Sequence, residues 1–231
     1  EMAYRVGAAL ARVPLEAIIV CDWEQATPLW YVQQVLGQRP DVDIYYPIER
    51  LEDALASGRP VVLARHVDPL PDTLRPGALG PLAGLYAAPQ KDMPPGAAIV
   101  ETAFGDGIVL VGALIDSGAA VTGAVLPVTL YWMAETVPGH DWSVSVRLYG
   151  PDGSQAAQVD GAHPVLGMYP TSRWTAGEVV ADYYELQIPS RAAPGSYRIE
   201  VMLYRALPDG QWETLPADGG IALGTLEIRG R

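Results

Sequence analysis

This chain has one cysteine, few charged side chains and no long apolar run, and each shortage excludes something. With Cys21 alone no disulfide can close within the chain, and pairing says nothing about the redox compartment. Cys21 also sits in an apolar stretch, where a thiol acts as a small buried hydrophobe and not as a reactive group. No apolar run approaches the roughly 20 residues that a membrane-spanning helix needs. Positive charge is scarce: 15 Lys and Arg face 27 Asp and Glu, for a net charge of −12. Nucleic acid is therefore not an expected partner, since phosphate binding needs clustered basic residues. The excess of acid is larger in the second part, with 15 acidic against 7 basic residues over 96–231 and 12 against 8 over 1–95.

Also missing are HxxxH or CxxC spacings and a glycine-rich phosphate loop, so no metal and no cofactor is expected. The chain opens on Glu1 without a basic-then-apolar leader, which fits a piece of a longer protein. What is present suits a folded globular chain, because 49% of residues are hydrophobic and only 18% are charged.

Two folding patterns meet near Pro94-Pro95-Gly96. Before that point, helical and strand patterns alternate. Met2, Val6, Ala9, Leu10 and Val13 recur at helical spacing, and Ala17 to Cys21 read as a strand covered on both faces. A helix is predicted from Thr27 as N-cap, with Pro28 in its first turn and Gly37 as its stop. A strand over 43–48, a helix over 51–56 and a strand over 61–64 complete the series. Strands alternating with helices imply parallel pairing, so residues 1–67 are expected to form a small three-stranded parallel α/β layer. A layer that small is expected to lean on the second domain. The Pro-rich stretch 68–95 reads as an ordered but irregular connector.

From residue 96 on, short strands follow one another at 98–103, 107–115, 125–133, 142–149, 154–160, 179–188, 196–204, 211–215 and 221–228. Trp142, Val144, Val146 and Leu148 fall on one face of their strand, and Ser143, Ser145, Arg147 and Tyr149 on the other. Pro151-Asp152-Gly153 and Pro208-Asp209-Gly210 supply hairpin turns. Residues 96–231 are thus expected to form an antiparallel immunoglobulin-like or jelly-roll β-sandwich, making the whole an α+β chain in two parts. Pro127, inside its strand pattern, points to an edge or a bulge.

Two groups of side chains are candidates for chemistry. Asp22 and Glu24 follow the first strand, and His66 follows the third, so parallel pairing would bring them to one sheet edge, where open α/β sheets place ligand sites. They could serve a hydrolase as acid, base and orienting pair; the plainer reading is loop acids near a helix N-terminus and a structural hydrogen bond. In the second part, Asp160, His163, Tyr169, Arg173, Trp174 and Asp182 lie in or beside the long 160–178 connection. Rings and polar groups on such a loop suit a glycan-binding surface centred on Tyr169, Arg173 and Trp174. The alternative is that Tyr169 and Trp174 are anchors pinning the loop to the sandwich. No catalytic residue is assigned.

The run Asp22-Trp23-Glu24-Gln25-Ala26-Thr27-Pro28-Leu29-Trp30-Tyr31, continued by Gly37-Gln38-Arg39-Pro40-Asp41-Val42, resembles bacterial membrane proteins related to protein O-mannosyltransferases. Gly167-Met168-Tyr169-Pro170-Thr171-Ser172-Arg173-Trp174, followed by Gly177-Glu178-Val179-Val180, resembles the sandwich that closes many such glycosyltransferase-like chains. The resemblance implies a non-catalytic accessory domain, positioning substrate or mediating interaction for a membrane glycosyltransferase acting on lipid-linked sugars. It also implies an extracytoplasmic location, and as partner the membrane domain of the same parent chain. A free-standing carbohydrate-binding sandwich is the rival expectation.

Overall fold

The computed structural model describes residues 9–217 and 219–230, so most of the helix expected over 2–13 lies outside the described residues. The chain divides into two compact units, Glu1–Pro89 and Gln90–Arg231, with the division inside the stretch expected as a connector.

In the first unit, β1 (Ile18–Val20), β2 (Asp43–Tyr45) and β3 (Val61–Leu63) alternate with helices α1 (Trp23–Trp30) and α2 (Leu51–Ala56). β1 pairs in parallel with β2 on one side and β3 on the other. The sheet does not stop at three strands. β4 (Arg75–Leu79) and β5 (Leu82–Tyr86) form an antiparallel hairpin whose second strand pairs with β3, giving the mixed order β2-β1-β3-β5-β4. The stretch expected as irregular connector therefore supplies two strands. Its sequence hides them because Pro76, Gly77, Ala78, Ala83 and Gly84 give little apolar alternation. Ile19, Cys21, Val62 and Leu82 from the sheet, with Ala26, Leu29 and Val32, build the core. Cys21 is fully buried, and burial pushes its thiol up to about 11.

Helix α1 begins earlier than its Thr27-Pro28 signal predicts. Asp22 takes the N-cap position, and Gln25 Oε1 accepts from the Asp22 N–H at 3.2 Å, the reciprocal half of a capping box. Thr27 Oγ1 instead donates back to the Trp23 carbonyl at 3.1 Å. Pro28, inside the helix, cannot donate to a carbonyl one turn back, and the next turn, Tyr31–Val35, widens to a π-helix.

The second unit is β-sandwich-like, its described residues forming nine strands in two antiparallel sheets. One holds β6 (Ala98–Gly105), β7 (Ile108–Ile115), β8 (Val125–Ala134) and β11 (Val179–Gln187), in the order β11-β8-β7-β6. The other holds β9 (Ser143–Tyr149), β10 (Gln155–Gly161), β12 (Gly195–Ala206), β13 (Trp212–Leu215) and β14 (Ile221–Ile228). Its order is β10-β9-β12-β13, with β14 pairing beside β13 along the same edge of β12. Pro127 lies in β8, an interior strand and not an edge. It is tolerated because the β7 register ends at Ile115 opposite Val128, just short of it.

Period-2 alternation sets the faces. Val144, Val146 and Leu148 of β9 and Ile199, Val201 and Leu203 of β12 are buried, as are Leu126, Val128, Leu130 and Trp132 of β8. Each such aliphatic side chain contributes about 1.5–3 kcal/mol by leaving water. The sheets come together at β10 and β11, where a Cβ on Gly161 would lie 3.0 Å from the Tyr184 hydroxyl. Gly161 thus lets Tyr184 close the sandwich.

Candidate functional site

The outward residues of the second sheet build a groove of about 370 Å³, lined by Arg147, Gln158, Asp160, Met202, Tyr204, Trp212 and Thr214. Strand register explains this company. Ser145 of β9 sits between Asp160 of β10 and Met202 of β12, while Arg147 lies opposite Gln158. On the other side Tyr204 faces Thr214 and Ala206 faces Trp212. Met202, buried, forms the floor between two walls, with Ser145 fully buried beside it.

One wall is polar. Gln158 Nε2 donates to both Asp160 carboxylate oxygens at 2.8 and 2.7 Å, and Arg147 Nε donates to Ser145 Oγ at 3.1 Å. The other wall is aromatic. The Tyr204 and Trp212 rings lie 5.5 Å apart at 59°, and Trp212 is 66% exposed. The hairpin carrying them is held by Arg205, which bonds Glu213 at 2.5 Å and lies 5.3 Å over the Trp142 ring. Burial and the nearby Asp160 carboxylate push the Tyr204 phenol up. The volume lies within the range of small-molecule sites, about 300–1,000 Å³.

Of the residues named from sequence in the 160–178 connection, Asp160 alone lines this groove. Tyr169 and Trp174 point inward at 0% and 1% exposure, so neither ring face meets solvent. The Tyr169 hydroxyl donates to Glu178 Oε1 at 2.8 Å, and Arg173 lies 5.7 Å over the Tyr169 ring. Asp182 is buried as well. It accepts from the Val165 N–H at 2.8 Å, the Tyr184 hydroxyl at 2.7 Å and Trp132 Nε1 at 3.3 Å. Burial pushes its carboxyl up to about 6 against these three donors. His163 Nδ1 and Trp174 Nε1 are buried without a hydrogen-bond partner. The expected surface around Tyr169, Arg173 and Trp174 is therefore an internal anchor: the loop is long and apolar enough to fold its rings into the core, where they gain more than they would on the surface.

In the first unit, parallel pairing does bring the residues after β1 and β3 to one edge. There the Asp22 carboxylate is engaged by Arg65 and by the Ile48 N–H at 3.3 Å, while Glu24 and His66 are exposed. Both oxygens of that carboxylate are thus already engaged, one by a guanidinium and one by a backbone N–H. Among the described residues no cluster of three or more His, Cys, Asp or Glu is arranged to hold a metal, and no helix is long and apolar enough to cross a membrane.

Sequence reasoning passed over Arg147, Gln158, Tyr204 and Trp212. The signal lay in the alternation: Arg147 was already on the outward face of β9, and Trp212 follows the Pro208-Asp209-Gly210 turn directly after exposed Gln211. No family model and no curated protein matches the chain. Solved structures do match it. The crystal structure of the C-terminal domain of wzt aligns with a TM-score of 0.39 at 11% identity, over 59% of this chain and 80% of that one, a likeness too loose to bear on the groove.

Proposed function

We propose that the second unit is a carbohydrate-binding module that holds a glycan in the sheet-face groove. The observation that carries this is the facing pair of walls. Trp212 and Tyr204 offer apolar ring faces across a buried floor from Asp160, Gln158 and Arg147, which offer acceptors and donors. A pyranose has the same two-sidedness, with C–H groups on its flat face and hydroxyls around its rim. Stacking gives affinity, and the polar wall fixes orientation.

The two antiparallel sheets support reading the unit as an immunoglobulin-like or jelly-roll sandwich, and the three parallel strands of the first unit support an α/β layer extended by a hairpin. Such a module acts by binding alone. The resemblance to tails of membrane glycosyltransferase-like proteins supports a place for it as a substrate-positioning domain outside the membrane, beside the membrane part of its own parent chain. The hydrolase reading is weaker, because Asp22 is committed to Arg65 and Ile48.

Titration calorimetry with maltohexaose, cellohexaose and mannohexaose tests the reading. At least one should bind, and Trp212→Ala should weaken it about tenfold or more, equivalent to about 1.4 kcal/mol. Asp160→Ala should do the same with an unchanged melting curve. Binding unaffected by both substitutions would sink the groove as the site.

A further inference from the structure

A second aromatic surface lies in the first unit, at the carboxyl ends of three adjacent parallel strands. The chain leaves β1 into Asp22 and Trp23, β2 into Tyr46, and β3 into Arg65 and His66. Because the strand order is β2-β1-β3, the two neighbours of β1 lie on opposite sides, and such a reversal leaves a crevice beyond the strand ends. Asp22 ties the three loops together: one oxygen accepts from the Ile48 N–H after β2, and the other meets Arg65 after β3.

On this fixed base three rings gather edge to face. Trp23 lies 6.1 Å from Trp30 and 5.8 Å from Tyr46, and Trp30 lies 6.3 Å from Tyr46. Seven residues separate Trp23 from Trp30, two helical turns, so α1 itself sets both indoles on one face. Neighbouring Tyr45 is already covered by Arg50, whose guanidinium sits 3.8 Å over the ring. Trp23 and Tyr46 are left open, at 59% and 40% exposure.

The charges around the rings choose the occupant. Arg65 is paired with Asp22 and Arg50 with Asp53, while Glu24 and Glu49 are exposed. Among the described residues around the rings no excess of positive charge is left for a phosphate or an anionic bilayer, which would call for clustered Lys and Arg. Asp22, which precedes Trp23 in the chain, and its partner Arg65 keep further lone pairs and N–H groups that match vicinal hydroxyls on a flat sugar. We propose that Trp23, Trp30 and Tyr46, with Asp22 and Arg65 beside them, form a second stacking site for a neutral hexopyranose, separate from the sheet-face groove.

The test uses the whole chain with 15N-labelled indoles, the six tryptophans being assigned by single Trp→Phe substitutions. Maltohexaose, cellohexaose and mannohexaose are titrated in turn. The Trp23 and Trp30 signals should shift saturably with at least one of them, in the parent chain and equally in Trp212→Ala. Tyr46→Ala should weaken that titration about tenfold or more, and Trp23→Phe, which keeps a ring face, should weaken it less. Shifts confined to Trp212 would overturn this site and leave the groove standing. Shifts of Trp23 and Trp30 without Trp212 would do the reverse, and no shift with any of the three would overturn both. Phosphatidylcholine vesicles, or self-association on concentration, moving the Trp23 signal where no sugar does would overturn the sugar assignment in favour of a lipid or a second copy.

Discussion

The 160–178 connection and the 204–214 hairpin carry similar side chains turned in opposite directions. Each holds a Trp, a Tyr and an Arg. In the connection, Tyr169 and Trp174 are sealed into the core and their polar neighbours serve to keep them there. In the hairpin, Trp212 stands in solvent beside Tyr204 and faces a polar wall across a groove. Residue type is thus no guide to role. What decides is whether backbone geometry gives a ring an inward path. A long loop has freedom to bury its rings, while a strand's alternation fixes each ring to one face.

The largest expected effect tests the inward half of that contrast. Trp174→Ala should destabilise the second unit by about 3–5 kcal/mol, the cost of truncating a fully buried Trp. Trp174→Phe should cost much less, because it keeps a ring in the cavity and removes an indole N–H that has no partner. Chemical denaturation monitored by circular dichroism would show both. A loss below about 1 kcal/mol for the alanine variant would break the comparison by making the connection a surface element.

Much of this architecture was legible in the sequence, for a definite reason. In the second unit, Ser143-Val144-Ser145-Val146-Arg147-Leu148 alternates so cleanly that strand and face follow together, and Pro-Asp-Gly turns mark the ends. Where alternation failed, so did the reading. Arg75-Pro76-Gly77-Ala78-Leu79 pairs through backbone groups that composition does not display, and Thr27-Pro28 imitates a helix start that Asp22 and Gln25 had already made. The groove was legible only in part. Asp160 could be named, but joining it to Tyr204 and Trp212 requires the registers of β9, β10, β12 and β13, which are non-local. The 160–178 rings cluster in sequence because they pack together.

A second expectation concerns pH. Asp182, whose folded carboxyl is pushed up to about 6 by burial, holds the start of the connection through the Val165 N–H. The folded state therefore binds a proton more tightly than the unfolded chain. The resulting stability is fully present below the ordinary carboxylate value near 3.8 and is lost as pH rises to about 6. Its size is on the order of 3 kcal/mol. Asp152 acts the other way: hydrogen bonds from Ser154 hold its carboxyl below the usual range, so its contribution is lost as pH falls below about 4. Melting temperatures across pH 3–7 should show a decline between about 4 and 6 that Asp182→Asn removes. The same decline in that variant would assign it to another group.

A smaller effect sharpens how the connection is tied down. Thr171, fully buried, accepts from the Trp142 N–H at 3.0 Å and donates to the His140 carbonyl at 2.6 Å. Thr171→Val keeps the shape and orphans both backbone groups, so it should cost about 1–3 kcal/mol. Thr171→Ser should recover most of that loss. Equal losses in the two variants would point to the methyl group and not the hydroxyl.

The smallest expected effect belongs to the outward half, and its smallness is the point. Trp212 is 66% exposed on a short strand, and its main ring neighbour, Tyr204, is held independently by β12 pairing to β9. Trp212→Ala should therefore change stability by no more than about 0.5 kcal/mol, the usual range for surface substitutions. A ring left in water without a structural debt is what a binding surface looks like before its ligand arrives, since stacking then removes apolar area that folding left uncovered. The decisive measurement sets the denaturation midpoint of Trp212→Ala beside its affinity for whichever hexasaccharide binds. Unchanged stability with at least about tenfold weaker binding keeps the two regions distinct. A loss near that of Trp174→Ala would show that Trp212 also anchors the fold, and the contrast between the two regions would disappear.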